Sequence, residues 1–446
     1  MKSFMRIAVA VATLAILPVL AHASTSRLQG MALPGDYTKD YTAIYGWPSS
    51  LTGVGNLVYG ELGNDLVNLN SSNPYSYERA MGAVLTNLWD GRFGTWGIHL
   101  REETPSLGQG DQMTGANPGV GGNDINSNGN EQFDIMWGRN FGSTSFGLRL
   151  NRSFMSIEDE LPGVTTLFEA DGPGTLNQGD ENLARNVFGI GAGMGFEMNE
   201  NCATEVSVLY QTRTFENSST VGAVTNSYQD NGGTTYLVQG RMMWKWQPNV
   251  LVVPVAKFYS YDLSNEVVSG ATTTSFDNKL SGWQLGVAGN WSLGSNDLFV
   301  LGVQVAQNKL DTENDVFGLN GGVLSGFGFT DEFQATETLM PNVFMALESQ
   351  VNSWLTLRMG AQKTVMHTYK VEDNSSDPTD QQTLTFKDSP FRMNIGAGVK
   401  VGSLMFDAVL DDLFYLNPVA QTMGSDDANF WWNSNMATKV SATYAW

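Results

Sequence analysis

The chain has 446 residues, 24 Lys and Arg against 45 Asp and Glu, and a formal net charge of −21. So acidic a protein repels nucleic acid, whose binding rests on phosphate neutralisation by basic side chains. Cys202 is the single cysteine, which excludes an intramolecular disulfide.

Residues 1–23 read as a signal peptide. Lys2 and Arg6 form a basic n-region, Ile7–Leu20 an apolar h-region, and Ala21-His22-Ala23 a small-x-small cleavage pattern. Its removal leaves 22 basic residues against 45 acidic ones, a net charge of −23. Ser24 rather than Cys follows the cleavage pattern, so a lipid anchor is not expected. No later run approaches the roughly 20 apolar residues that a spanning helix needs. Residues 24–53, rich in Gly, Tyr and Asp, form an N-terminal segment, periplasmic or hatch-like, ahead of a barrel expected over 54–446.

From Val54 onward the chain alternates. The clearest hairpin is Lys279–Leu293, a turn at Gly294-Ser295-Asn296, and Asp297–Asn308. Trp283, Leu285, Val287 and Trp291 share one face, and Gln284, Gly286, Ala288 and Asn290 the other. A period of two with one apolar face marks a half-buried antiparallel strand. Sixteen such strands are expected, from 54–62 through 79–89, 92–101 and onward to 353–370, 384–400, 403–411 and 434–446. Fourteen remain if the first and one late strand fail. Tight turns such as Gly142-Ser143, Gln247–Asn249 and Gly402 alternate with long polar connections such as 102–130, 153–184 and 310–336. Short turns on one side and long loops on the other is the arrangement of an all-β, antiparallel transmembrane barrel with its turns in the periplasm and about 25 Å of apolar band. Trp244 and Trp246 sit beside a turn, where an interfacial aromatic belt belongs.

Taken together, these strands resemble those of a Gram-negative bacterial outer-membrane barrel, porin-like in length and strand count. The terminal Trp446 resembles the recognition signal by which such proteins engage the barrel-assembly machinery. The Pro-Glu-Phe-Gly motif of enterobacterial general porins is absent from the third long loop, which carries Glu158, Asp159 and Glu160. Residues 24–53 loosely resemble the N-terminal hatch of fatty-acid-transport barrels and of the shuttle barrels of type IX secretion. The resemblance implies an outer-membrane location, with membrane lipid, lipopolysaccharide and small solutes as partners; it leaves oligomer formation open.

Parity places Arg101, Arg149, Arg213, Arg241, Lys257, Arg358 and Arg392 inward, together with Lys400 and Lys439. Inward acids are fewer: Asp134, Glu205, Glu348, Asp407 and Asp411. A charge facing lipid near the midplane costs about 2–4 kcal/mol, so these groups need a wet or paired interior. One reading is a constriction in which this basic wall faces Glu158, Asp159 and Glu160 on an infolded loop. The other is a plug of structural salt bridges.

The mature chain keeps two histidines, His99 and His367, and no serine–histidine motif, so no enzymatic activity is expected. No cofactor is expected either, apart from a weak calcium motif. Asp124, Asn126 and Asn128, followed by Gly129, match the first half of a D-x-[DN]-x-[DN]-G loop, but Ile135 stands where the bidentate Glu belongs. An Asn/Gly-rich loop tip is the more ordinary reading. Val316–Phe329 and Phe430-Trp431-Trp432 add apolar loop content suited to binding or to packing on lipopolysaccharide. The expected function is passive diffusion of small polar solutes through a lumen narrowed by the third loop. The alternatives are a hydrophobic-compound transport barrel with an N-terminal hatch, or a non-conducting surface or secretion-docking barrel.

Overall fold

Alternation and turn chemistry build one closed sheet. The computed structural model describes residues 24–38, 40–63, 78–86, 88–101, 131–159, 180–221, 224–230, 232–262, 264–294, 296–313, 333–373, 383–410 and 437–446. The first half contains β1 (Leu57–Gly63), β2 (Glu78–Leu85), β3 (Thr95–Arg101), β4 (Glu131–Phe141), β5 (Thr144–Asp159), β6 (Asp180–Asn199), β7 (Cys202–Val221), β8 (Val224–Asp230), β9 (Thr234–Gln247) and β10 (Val250–Asp262). The second contains β11 (Asn265–Ser269), β12 (Thr272–Phe276), β13 (Asn278–Leu293), β14 (Asp297–Thr312), β15 (Phe333–Gln350), β16 (Leu355–Thr364), β17 (His367–Asp373), β18 (Thr383–Asp388), β19 (Phe391–Val401), β20 (Leu404–Leu410) and β21 (Ala437–Ala445).

Every pairing is antiparallel, and β1 closes the ring on β21 from Leu57↔Ala445 to Gly63↔Lys439. Closure leaves the wall without an open edge, which a lipid environment requires. The wall has sixteen staves, because β16 with β17, and β18 with β19, each form one interrupted stave. Two strands expected to be continuous, 353–370 and 384–400, are therefore broken. The breaks fall at Val365-Met366 and at Ser389-Pro390, and Pro lacks the N–H that a ladder needs. Three more strands, β8, β11 and β12, lie within connections expected to be loops and extend β7 beyond the wall.

Tight turns close the hairpins at one end, with Gly142 (φ 65°) and Gly402 (φ 63°) supplying the left-handed backbone there. Outward side chains are apolar and exposed, among them Ile98, Ile190, Val208, Val238, Leu301 and Met359. Trp96, Trp244, Trp246, Trp354, Tyr444 and Trp446 ring the tight-turn end. An apolar outer belt with an aromatic girdle at its short-turn end places this barrel in the bacterial outer membrane. The signal-peptide stretch lies outside the described residues.

Candidate functional site

The lumen is occupied by the chain's own N-terminal segment. Ser24 caps a short helix, α1 (Thr25–Gly30), its hydroxyl accepting from the Arg27 N–H. Single 3-10 turns follow at Gly35–Tyr37, Tyr41–Tyr45 and Pro48–Gly53. Asp40 caps the second, and Pro48 opens the third at a position where its missing N–H costs nothing. This segment has no period of two because it joins no sheet. Its apolar side chains Met31, Tyr37, Ile44, Trp47 and Leu51 are buried against the wall.

Close approach depends on inward-facing glycines. A Cβ at Gly360 would overlap the Met31 carbonyl, and one at Gly147 would overlap the Pro48 carbonyl. Gly30 and Gly396 meet backbone to backbone, where an added Cβ would lie 3.0 Å from the partner Cα. The wall glycines are therefore a surface shaped for this segment.

Charge fixes the segment in place. Arg27 donates from Nε and Nη2 to the two carboxylate oxygens of Glu348 at 2.6 and 2.7 Å, and from Nη1 to Asp40 at 3.3 Å. Arg358 donates to Glu348 at 2.5 Å and to Asp407 at 2.6 Å, and Ser24 Oγ donates to Asp407 at 2.9 Å. Around the ring, Arg241 binds Glu205 at 2.6 Å, the Asp36 carbonyl at 3.0 Å and Ser50 at 2.9 Å, with its guanidinium 4.6 Å from the Trp47 ring centroid. Lys257 pairs with Asp36 at 2.6 Å. Arg149 binds Asp134 and the Tyr45 carbonyl at 2.7 and 2.9 Å. Glu61 accepts from Thr25 and Tyr41, and Tyr59 links Tyr45 to His99.

These contacts fit the reading of structural salt bridges rather than that of a basic constriction. Arg149, Arg241, Lys257 and Arg358 do face inward, but each is buried and paired with an acid of the wall or of the segment. Arg213 also faces inward, higher up, and pairs with Asp230 at 2.5 Å. Arg392 stands on an inward register position of β19, exposed. Arg101 is the last residue of β3, with Ala80 and Gln132 opposite it. Glu158 and Asp159 do not form an infolded loop: they continue β5, opposite Asn182 and Glu181 of β6. Glu160 and the calcium-loop residues Asp124, Asn126 and Asn128 lie outside the described residues, as do Val316–Phe329 and Phe430–Trp432. Among the described residues, no group of His, Cys, Asp and Glu is arranged to hold a metal.

Above the segment the inner face changes character. On β7, Glu205 and Ser207 touch the segment and Leu209 comes next; on β9, Arg241 and Gln239 are followed by Leu237; on β10, Lys257 by Tyr259 and Tyr261. These apolar side chains join Leu310, Phe333, Ala335 and Val371 in one buried cluster, with Leu280, Tyr369 and Leu384 packed on it. The lumen is thus filled by the segment in its periplasmic half, and above it an apolar cluster lies among polar inward side chains such as Gln211, Thr235, Asn308 and Glu337.

A polar strip borders this apolar layer. Tyr259 donates to Asn308, Asn308 to Glu337 at 3.0 Å, and His367 lies between Glu337 at 2.8 Å and Asp388 at 2.5 Å. Alternation carried along an unbroken strand does not turn His367 or Glu337 inward, because a shift of parity separates each from the rest of its stave. Residues 340–341 of β15 oppose the single Val305 of β14, a bulge that turns Leu339, Glu337, Ala335 and Phe333 inward above it.

Fold, lipid-facing belt and turn–loop asymmetry together define a bacterial outer-membrane β-barrel protein. No family model matches the chain, and no curated protein matches it in sequence. Among solved structures, it is similar to the toluene transporter TodX of Pseudomonas putida at 8% identity, covering 91% of this chain and 92% of that one with a TM-score of 0.36. It is likewise similar to the toluene transporter TbuX of Ralstonia pickettii (9% identity, 93% and 95% covered, TM-score 0.36). A FadL homologue of Pseudomonas aeruginosa gives 10% identity, 94% and 97% coverage and a TM-score of 0.39. The barrel class of this chain rests on its own ladder of sixteen staves.

Proposed function

We propose that this protein takes up hydrophobic compounds across the outer membrane, with residues 24–56 acting as the plug beneath an apolar receiving layer. The observation that carries this reading is the cluster of Leu209, Leu237, Tyr259, Tyr261, Leu310 and Phe333 on the inner, not the lipid-facing, side of one part of the wall. A polar solute crossing such a layer sheds water hydrogen bonds at about 1–3 kcal/mol for each group left unpaired. An apolar solute gains there, at roughly 25 cal/mol per Å² removed from water. The paired state of Arg149, Arg241, Lys257 and Arg358 also speaks against passive diffusion of small polar solutes past a basic constriction. These cations are already engaged, and their buried pairs fix one arrangement of the segment rather than a solvated pore.

Uptake of a labelled apolar compound by cells expressing the wild type or Phe333→Asp tests this. The proposal expects the variant to lose most of the uptake while keeping the heat-modifiable migration of a folded barrel. Equal uptake by a folded variant would remove the apolar layer from the account.

A further inference from the structure

Ser24, the first described residue, is buried at 0% exposure. It follows directly on the Ala21-His22-Ala23 cleavage pattern. Its hydroxyl donates to Asp407 at 2.9 Å, and Thr25 donates its N–H and its hydroxyl to Glu61 at 3.1 and 2.6 Å. The main-chain nitrogen of Ser24 hangs on the Cα between those two contacts. Standard bond lengths hold it within about 4 Å of both the Ser24 hydroxyl and the Thr25 nitrogen.

Beside it the wall offers a row of acceptors. Register runs Glu61↔Ser441↔Asp407 across β1, β21 and β20, so the backbones of the two acids stand about 10 Å apart with Ser441 between them. α1 packs on β20 and touches β21. All three residues of the row are buried. Among the described residues Ser441 Oγ has no hydrogen-bond partner. An ammonium carries several N–H donors and no acceptor, and two carboxylates flanking a hydroxyl are acceptors of the matching kind.

Charge balance at this row calls for a cation. Glu61 accepts from Thr25 and from the Tyr41 hydroxyl, all neutral donors. Asp407 shares Arg358 with Glu348, and Glu348 shares Arg27 with Asp40. Four buried acids, Glu61, Asp407, Glu348 and Asp40, are thus served by Arg27 and Arg358, with Lys439 one inward repeat along β21 from Ser441. Buried carboxylates in excess of their cations are costly. While a leader is attached, position 24 contributes a neutral amide with a single N–H. Hydrolysis of the Ala23–Ser24 bond adds water across it, leaving a carboxylate on Ala23 and an α-ammonium on Ser24, charged at neutral pH. The partial positive charge at the N-terminus of the six-residue α1 opposes a cation only weakly beside two carboxylates.

We propose that the α-ammonium of Ser24, created by cleavage at Ala23–Ser24, binds between Glu61 and Asp407 beside Ser441 and locks residues 24–56 into the lumen. The ligand of this site is the chain's own new N-terminus. Glu61 and Ser441 gain the charged donor they lack, and removal of the leader becomes the step that completes the plug. The site is independent of what the lumen carries.

Protein purified from outer membranes tests this. Its intact mass should place the mature N-terminus at Ser24; a chain that begins elsewhere and still shields residues 24–56 from protease overturns the proposal. Periodate oxidises the amino alcohol of an N-terminal serine, and the folded barrel should react at least tenfold more slowly than the unfolded chain. Glu61→Gln should remove most of that protection while heat-modifiable migration persists. Inserting one Gly between Ala23 and Ser24 displaces the ammonium and leaves the wall unchanged. After processing, that variant should be cut within residues 24–56 at least tenfold faster from the periplasmic side. Equal periodate rates in the folded and unfolded chain overturn the proposal. Undiminished protection in folded Glu61→Gln, or wild-type protease resistance in the processed Gly insertion, overturns it too.

Discussion

The carbonyl of Met31 rests against Gly360 with no room for a Cβ between them. Sequence neighbours do not bring these residues together; the inner segment and β16 meet because the wall offers bare backbone there. Gly360→Leu should therefore wedge the segment off the wall without breaking the outer belt. Limited proteolysis from the periplasmic side should cut within residues 24–56 faster, while heat-modifiable migration persists. A variant as resistant as the wild type would show that the contact does not hold the segment.

Arg358 bridges Glu348 and Asp407, both buried. Arg358→Met should leave Asp407 without its cation and cost about 3–5 kcal/mol, as removal of one partner from a buried pair does. A lowered unfolding temperature should report it. The triple change that also neutralises Glu348 and Asp407 should recover much of the loss. If the triple variant is weaker still, hydrogen bonding rather than charge balance dominates the cluster.

Much of this architecture can be read from parity alone. His99, Arg149, Gln239 and Arg241 are inward and buried as alternation requires, and Tyr236, Val238 and Trp246 are outward and exposed. Parity fails where the strand slips. An unbroken strand over 353–370 carries the inward position of Arg358 onto Thr368 and Lys370. The break at Val365-Met366 instead turns His367, Tyr369 and Val371 inward. The filled lumen is legible only as an open alternative, a hatch-like 24–53 or a salt-bridged interior, because residues 24–56 form no sheet and so have no period. Its signals were indirect, namely inward glycines without a stated role and wall charges of both signs awaiting partners.

Two cations, Arg27 and Arg358, meet three acids, Glu348, Asp407 and Asp40, in one buried cluster. Burial pushes the Asp40 carboxyl up to about 6 in spite of Arg27 beside it. A raised acid stabilises the packed segment fully below its ordinary value near 4, and that contribution is lost as pH rises through 6. Protection of residues 24–56 from protease should accordingly be greater at pH 4 than at pH 7, and Asp40→Asn should flatten the difference. An unchanged pH dependence in Asp40→Asn would place its origin elsewhere.

Leu237 stands immediately above the Gln239 contact with the segment. Leu237→Asp should put a charge into the apolar layer and lower uptake of apolar compounds about tenfold or more, with little change in the wall below it. Conservative Leu237→Met should be nearly silent, since volume-preserving apolar exchanges are well tolerated.

The most direct test of the central claim compares two solutes in cells that lack their own general porins and express this protein. Entry of a labelled apolar compound should rise on expression and fall with Phe333→Asp, while entry of a labelled disaccharide stays at the level of cells without the protein. Rapid disaccharide entry through the wild type, unaffected by Phe333→Asp, would contradict the account.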